Sequence, residues 1–231
     1  MRVPGARRAG GAGATVVVPV KLLALAKSRL DVPREQRQAL ALAFALDTLA
    51  ALSASPEVGA VVVVTPDTGV ELVLRDRGVH VVRDDGTGLR SAVGAGCRAA
   101  ARLRPGARLA VVPADLPCLT ADAVTRVLTE ATATDGAFVP DRAGTGTTVL
   151  LCPARGRLEP RYGPGSARQH RSLGLPELAD APLRARLDVD TVEDLADALL
   201  LGVGPATAGV LEMHARRTFT AASCGPVEPV W

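Results

Sequence analysis

The stretch Thr15-Val-Val-Val-Pro-Val20 and its echo Ala60-Val-Val-Val-Val-Thr65 decide the fold class. Each is an unbroken, mostly β-branched run rather than an alternation of apolar and polar residues. That is the pattern of a strand buried on both faces, as in a parallel sheet covered by helices. Pro19 has no N–H to give to a ladder, so pairing of the first strand is expected to end there. Between the two runs, Arg34 to Leu52 carries Ala39, Leu42, Leu46 and Leu49 at helical spacing, one apolar stripe that can lie on such a sheet.

The alternation continues outward from this unit. Gly69 to Arg77 reads as a short helix, Val79 to Val82 as a strand, Leu89 to Leu103 as a helix and Arg108 to Pro113 as a strand. Thr120 is placed to cap a helix running to about Thr132, Ala137 to Val139 and Thr147 to Leu151 read as short strands, and Ser166 to Leu173 as a further helix. Thr191-Val-Glu-Asp194 opens a last helix ending near Leu201. The expectation is an α/β fold with a mostly parallel sheet, a single domain over residues 15–202. A disordered Gly- and Arg-rich tail is expected over 1–14, and a flexible tail without assigned structure over 203–231. Ligands of such sheets bind beyond the carboxyl ends of the strands. The loops after Val20, Val82, Val112 and Leu187 are therefore the places to look for function.

Composition narrows the function classes. With 48% hydrophobic but only 2% aromatic residues, a chain of 231 residues must build its core from Val, Leu and Ala. The 27 basic and 24 acidic residues are dispersed, without a Lys/Arg block that would track a nucleic-acid backbone, so a small anionic ligand fits better than nucleic acid. Cys97, Cys118, Cys152 and Cys224 have no zinc-site spacing and read as reduced thiols. Met1 to Gly13 lacks the apolar core of a signal peptide and no apolar run reaches membrane-spanning length, so the cytoplasm is the expected compartment and no membrane partner is implied.

Four loops carry the chemistry. The first places Lys21, Lys27, Ser28 and Arg29 directly after the first strand. Cations there would bind a triphosphate and neutralise a departing pyrophosphate, which makes Lys21 and Arg29 candidate catalytic residues as well as nucleotide ligands; the alternative is a solvated basic loop. The second, Asp84-Asp85-Gly86-Thr87-Gly88, joins a strand to a helix. Gly86 and Gly88 would let backbone N–H groups approach a nucleotide closely, or merely form a tight turn. The third, Val111-Val-Pro-Ala-Asp115-Leu-Pro117, fixes a carboxylate between two prolines at a strand end, suited to Mg²⁺, which prefers hard oxygen ligands. The fourth, Leu187-Asp-Val-Asp190, has two carboxylates that point the same way on extended chain, so both can face one metal; the alternative is that Asp190 or Thr191 caps the helix that follows.

Two further segments, Pro140-Asp-Arg-Ala-Gly-Thr-Gly-Thr-Thr148 and Arg161-Tyr-Gly-Pro-Gly-Ser-Ala-Arg-Gln-His170, combine glycines, hydroxyls and Arg, the equipment of small-anion pockets. A hairpin turn and a helix N-cap at Ser166 are the structural alternatives, and His170 reads as a helix-surface residue.

In this order, Val-Pro-Val-Lys with Ala-Lys-Ser-Arg-Leu, Ala-Asp-Leu-Pro, Asp-Arg-Ala-Gly-Thr-Gly-Thr-Thr, Gly-Pro-Gly-Ser and Asp-Val-Asp-Thr-Val-Glu-Asp-Leu resemble the 2-phospholactate or phosphoenolpyruvate guanylyltransferases of coenzyme F420 biosynthesis. The resemblance spans about Thr15 to Leu201. It implies a single-domain, three-layer, Rossmann-like nucleotidyltransferase fold, GTP as donor, Mg²⁺ as cofactor, and phosphoenolpyruvate or 2-phospholactate as acceptor. It further implies that Asp115, Asp188 and Asp190 match metal-binding aspartates, that Thr148, Gly163 and Ser166 match positions touching the acceptor, and that the product is handed to the next enzyme. Where the family often has Gly-Leu-Asn, this chain has Gly88-Leu89-Arg90. The rival readings are a nucleotidyltransferase of the same architecture acting on a molybdenum cofactor or sugar phosphate, and a non-catalytic nucleotide-binding regulator.

Overall fold

The computed structural model describes residues 13–85, 87–152 and 161–223. Six strands form one sheet in the order β3-β2-β1-β4-β6-β5: β1 Ala14–Pro19, β2 Val58–Thr65, β3 His80–Arg83, β4 Leu109–Val111, β5 Ala137–Pro140 and β6 Thr147–Leu151. The first four are parallel, and β6 runs antiparallel to both β4 and β5, giving the mostly parallel mixed sheet. The helices are α1 Arg34–Ala54, α2 Thr68–Leu74, α3 Leu89–Leu103, α4 Ala121–Glu130, α5 Ser166–Ser172, α6 Val192–Leu201 and α7 Pro205–Ser223.

The unbroken apolar runs have the expected cause. Val16 and Val18 pack with Leu49 and Leu52 of α1 and with α4 on one face, while Val17 packs with Ala92 and Val93 of α3 on the other. All three valines are fully buried, which makes three layers. On the α3 side, Gly96 is required by close approach: a Cβ there would lie 2.3 Å from Val17 Cγ1. Because β1 sits between β2 and β4, the connections diverge from it to opposite sides, and a crevice opens at the carboxyl ends of β1 and β4.

Pro19 ends β1 as expected: it is the last registered residue, opposite Val64, and the Val20 N–H closes that final pair by donating to Val64 O at 2.8 Å. Two other expectations are corrected. Leu187 does not close a strand: a 3₁₀ turn, Leu183–Ala185, leads into extended chain fixed by Val189 N–H donating to Asp115 O at 3.1 Å. The segment after Gly202 is not a flexible tail through its whole length, because Pro205–Ser223 is helix. Val210 and Leu211 of α7 pack on the cluster containing Phe44 of α1, and the buried Asp47 accepts the N–H groups of Ala206 and Thr207, both at 2.9 Å. The expected disordered segment lies outside the described residues up to position 12, and Ala14 already belongs to β1. Among the described residues no single helix is long and apolar enough to cross a membrane.

Candidate active site

The loop from Val20 to Leu30 leaves β1 at the crevice and is pinned from outside by the Leu23 N–H on Asp67 Oδ2 at 2.9 Å, while Asp67 also caps α2. Lys27 adopts φ +54, the left-handed region that non-glycine residues rarely occupy, and its ammonium turns inward. Nζ lies 2.5 Å from Asp115 Oδ2 and 2.8 Å from Asp190 Oδ1. Burial pushes the Lys27 ammonium down, but the charges and hydrogen bonds of Asp115 and Asp190 outweigh it and hold it above its ordinary value. Lys21 and Arg29 are exposed at the mouth of the same cleft and close no ion pair with a described residue.

Asp115 follows β4 and Pro113; its backbone carbonyl receives Val189 N–H, which docks the Asp188-Val-Asp190 segment beside it. Asp115 Oδ1 is buried and has no hydrogen-bond partner. Burial, and then the neighbouring Asp115 charge, push Asp188 up to about 7. Burial alone would raise Asp190 too, but Lys27, its hydrogen bond and the nearby Arg29 and Lys21 hold it below the usual carboxylate range. The ambiguity over helix capping resolves in one direction: Thr191 and Asp194 make the capping box of α6, and Asp190 turns its carboxylate to Lys27 instead. Among the described residues no three ligating side chains converge into a ready metal cage. Lys27 stands between two of the three aspartates.

The opposite wall comes from the β5–β6 hairpin and α5. Asp141 shapes the hairpin by accepting from Thr145 N–H and Gly146 N–H at 2.9 and 2.7 Å, so the turn reading of these glycines holds and the turn also lines the cleft. Thr147 faces the cleft. Thr148, the residue singled out from the sequence, is buried with its hydroxyl donating to Ala185 O at 2.6 Å and does not line it. Gly163 and Ser166 do line it; the capping position of α5 is Gly165, so Ser166 is the first helical residue rather than the cap. His170 is fully buried, contrary to its surface reading, and Tyr162 reaches under the cleft to donate its hydroxyl to Val111 O at 2.9 Å. Gly88 starts α3 at φ +125, while Gly86 lies outside the described residues. Next to Gly88, Leu89 lines the cleft.

The result is a cleft of about 600 Å³ with cations and carboxylates side by side at the strand ends and glycines and hydroxyls opposite. Such a lining suits a polyanion on one side and a small acid on the other.

Solved structures share this architecture. A candidate nucleotide-diphospho-sugar transferase from Desulfovibrio desulfuricans G20 superposes with TM-score 0.64 at 18% identity, over 88% of this chain and 95% of that one. A 4-diphosphocytidyl-2C-methyl-D-erythritol synthase superposes with TM-score 0.56 at 17% identity, over 84% of this chain and 99% of that one. The sequence relatives are much nearer. The phosphoenolpyruvate guanylyltransferase of Streptomyces coelicolor is 46% identical over 200 residues, 85% of this chain and 94% of its own length, and that of Geodermatophilus obscurus is 42% identical over 212 residues, 88% and 96%. The family model described as guanylyl transferase CofC like matches residues 14–215, the sheet and the helices that carry the cleft, and the chain belongs to that family of nucleotidyltransferases.

Proposed function

We propose that the chain transfers GMP from GTP to phosphoenolpyruvate, with 2-phospholactate as the alternative acceptor, releasing pyrophosphate. The observation that carries this reading is the single cleft in which Lys21, Lys27 and Arg29 meet Asp115, Asp188 and Asp190, facing Thr147, Gly163 and Ser166. Lys21 and Arg29, uncommitted at the mouth, bind the β- and γ-phosphates and offset the charge that builds on the leaving pyrophosphate. The acceptor's own phosphate oxygen attacks the α-phosphorus in line, so no protein nucleophile is needed. Thr147, Ser166 and the N–H groups around Gly163 hold the acid's carboxylate and phosphate and orient that oxygen.

The residues present fit Mg²⁺. Asp115 keeps a buried oxygen without a hydrogen-bond partner, Asp115 and Asp190 share one buried ammonium, and Asp188 stands close enough for the Asp115 charge to raise it, an excess of carboxylate that a hard divalent cation would balance. Asp115, Asp188 and Asp190 would hold it, and when bound it supplies Lewis-acid polarisation of phosphate oxygens. Lys27 must then move from the carboxylates to the nucleotide.

Phosphoenolpyruvate and 2-phospholactate differ at one carbon, planar against tetrahedral, a difference a pocket without a dedicated contact separates weakly. Phosphoenolpyruvate is favoured because the relatives compared carry that name. The product is an activated phosphoanhydride, which calls for a following group-transfer enzyme to take it over, and the cytoplasm is where GTP and such acids meet. Pyrophosphate release measured with GTP, Mg²⁺ and each acid in parallel tests the reading. The expected result is release dependent on acid and greatest kcat/KM for phosphoenolpyruvate; a clear excess for 2-phospholactate would reverse the acceptor, and no release with either would reject the reading.

A further inference from the structure

His170 lies wholly inside the protein on α5, its ring 5.6 Å from that of Phe138 and 6.1 Å from that of Tyr162. Both ring nitrogens are engaged. The backbone N–H of Arg161 donates to Nε2 at 3.2 Å, so Nε2 presents its lone pair and carries no proton. A neutral imidazole has one N–H, which must therefore sit on Nδ1, and Nδ1 lies 2.9 Å from the hydroxyl oxygen of Thr147. Thr147 Oγ1 consequently accepts on the His170 side. A hydroxyl that accepts from one neighbour keeps a single proton to give, and no described residue takes it. Thr147 also lines the cleft, close to Ser166 and Gly146.

We propose that His170 is a positioning residue for acceptor specificity: its Nδ1–H locks the Thr147 hydroxyl as a donor aimed into the cleft, where it meets the carboxylate or phosphate of the acid. The inference deepens the acceptor reading and rests on it. A hydroxyl left to rotate offers its lone pairs to the anion part of the time, which repels rather than binds. A locked one is preorganised. The buried environment supports the neutral form, since burial pushes the His170 imidazole down to about 4.

The bond itself is read by long-range proton–nitrogen NMR of the histidine side chains in the wild-type protein at neutral pH, where the Nδ1–H tautomer is expected for His170. Kinetics read its consequence. His170→Leu should raise KM for the acceptor about tenfold, the scale of one hydrogen bond to a charged group, with KM for GTP unchanged. His170→Asn, whose amide N–H reaches about as far as Nδ1, should recover most of that loss, and Thr147→Val should cost clearly less when added to His170→Leu than it costs alone. An Nε2–H tautomer, an imidazolium, or a folded His170→Leu protein with ordinary acceptor KM overturns the inference. If His170→Leu fails to fold, Thr147→Val against Thr147→Ser decides: a raised acceptor KM only for Val supports it, and no effect of Val overturns it. Absence of turnover by the wild type with either acid would sink the acceptor reading instead, and the tautomer would still decide the His170–Thr147 bond.

Discussion

The Lys27 ammonium sits 2.5 Å from the Asp115 carboxylate, joining the loop after β1 to the loop after β4 across the crevice where the sheet's connections diverge. The same nitrogen reaches Asp190 at 2.8 Å, so one cation ties together three chain segments far apart in sequence. Its side chain is only 9% exposed, which makes the pairing stronger than that of a surface ion pair. A divalent ion and Lys27 cannot both take the same carboxylate oxygens, so on the proposed reading binding of the ion would release Lys27 from them.

Lys27→Met removes the competitor while roughly keeping its length. Affinity of the nucleotide-free protein for Mn²⁺ should rise, read by electron paramagnetic resonance, while turnover falls because a phosphate ligand is gone. Unchanged Mn²⁺ affinity would show that Lys27 does not share the carboxylates with a cation.

Asp115→Asn should lower kcat/KM by about 10²-fold or more, the usual scale for removing one charge that stabilises the transition state. An amide oxygen can still receive the Lys27 N–H, so the melting temperature should stay within a few degrees of wild type. A folded variant with near-normal turnover would remove Asp115 from the chemistry.

Arg29→Ala should raise KM for GTP about tenfold and leave that of the acceptor nearly unchanged, because Arg29 lies on the cation side of the cleft, away from Thr147 and Ser166. Initial-rate kinetics with each substrate varied in turn make the comparison. A change confined to the acceptor would place the two substrates the other way round.

Much of this site was legible in the sequence, and the reasons are local. Asp115 between two prolines, the D-x-D pair and the cations after β1 are residue types that nothing in a core requires, so their chemistry stands out. His170 did not, because a histidine among Arg, Gln and Ser resembles a solvated helix face. The available signal was its spacing: Ser166, Ala167 and His170 fall on one side of α5 and are all buried. Thr148 is named through the resemblance; its hydroxyl is buried on Ala185 O while its neighbour Thr147 lines the cleft, a difference between adjacent strand residues that the sequence does not show. Helix α7 was missed for a tertiary reason. It follows Gly202-Val-Gly-Pro205, which reads as the end of ordered structure, and its start is fixed by Asp47, a buried carboxylate 159 residues away from Ala206 in the chain.

That contact gives a stability prediction. Asp47→Ala leaves the Ala206 and Thr207 N–H groups without their acceptor in a buried junction, and should cost about 2 kcal/mol. Hydrogen exchange should speed up first in α7. Equal protection in both proteins would show that α7 is held by its apolar contacts alone.

Acid should destabilise the fold through His170. Its folded pKa of about 4 lies below the ordinary 6.5, so the unfolded chain binds the extra proton first. Among the described residues, the groups in contact with it are the Phe138 and Tyr162 rings, the Thr147 hydroxyl and the Arg161 backbone, none of them an anion that would stabilise the imidazolium. The contribution is complete above pH 6.5 and is lost as the pH falls from there toward 4, on the order of 3 kcal/mol. Urea unfolding across that range should show a loss that His170→Asn lacks; identical pH profiles would contradict it.

Transfer of GMP onto the acid's own phosphate is observable by phosphorus NMR of the purified protein with GTP, Mg²⁺ and phosphoenolpyruvate. Two coupled resonances of a new phosphoanhydride are expected, growing in step with pyrophosphate and absent with Asp115→Asn. Pyrophosphate or phosphate released at the same rate without the acid, with no new phosphoanhydride signal, would contradict it.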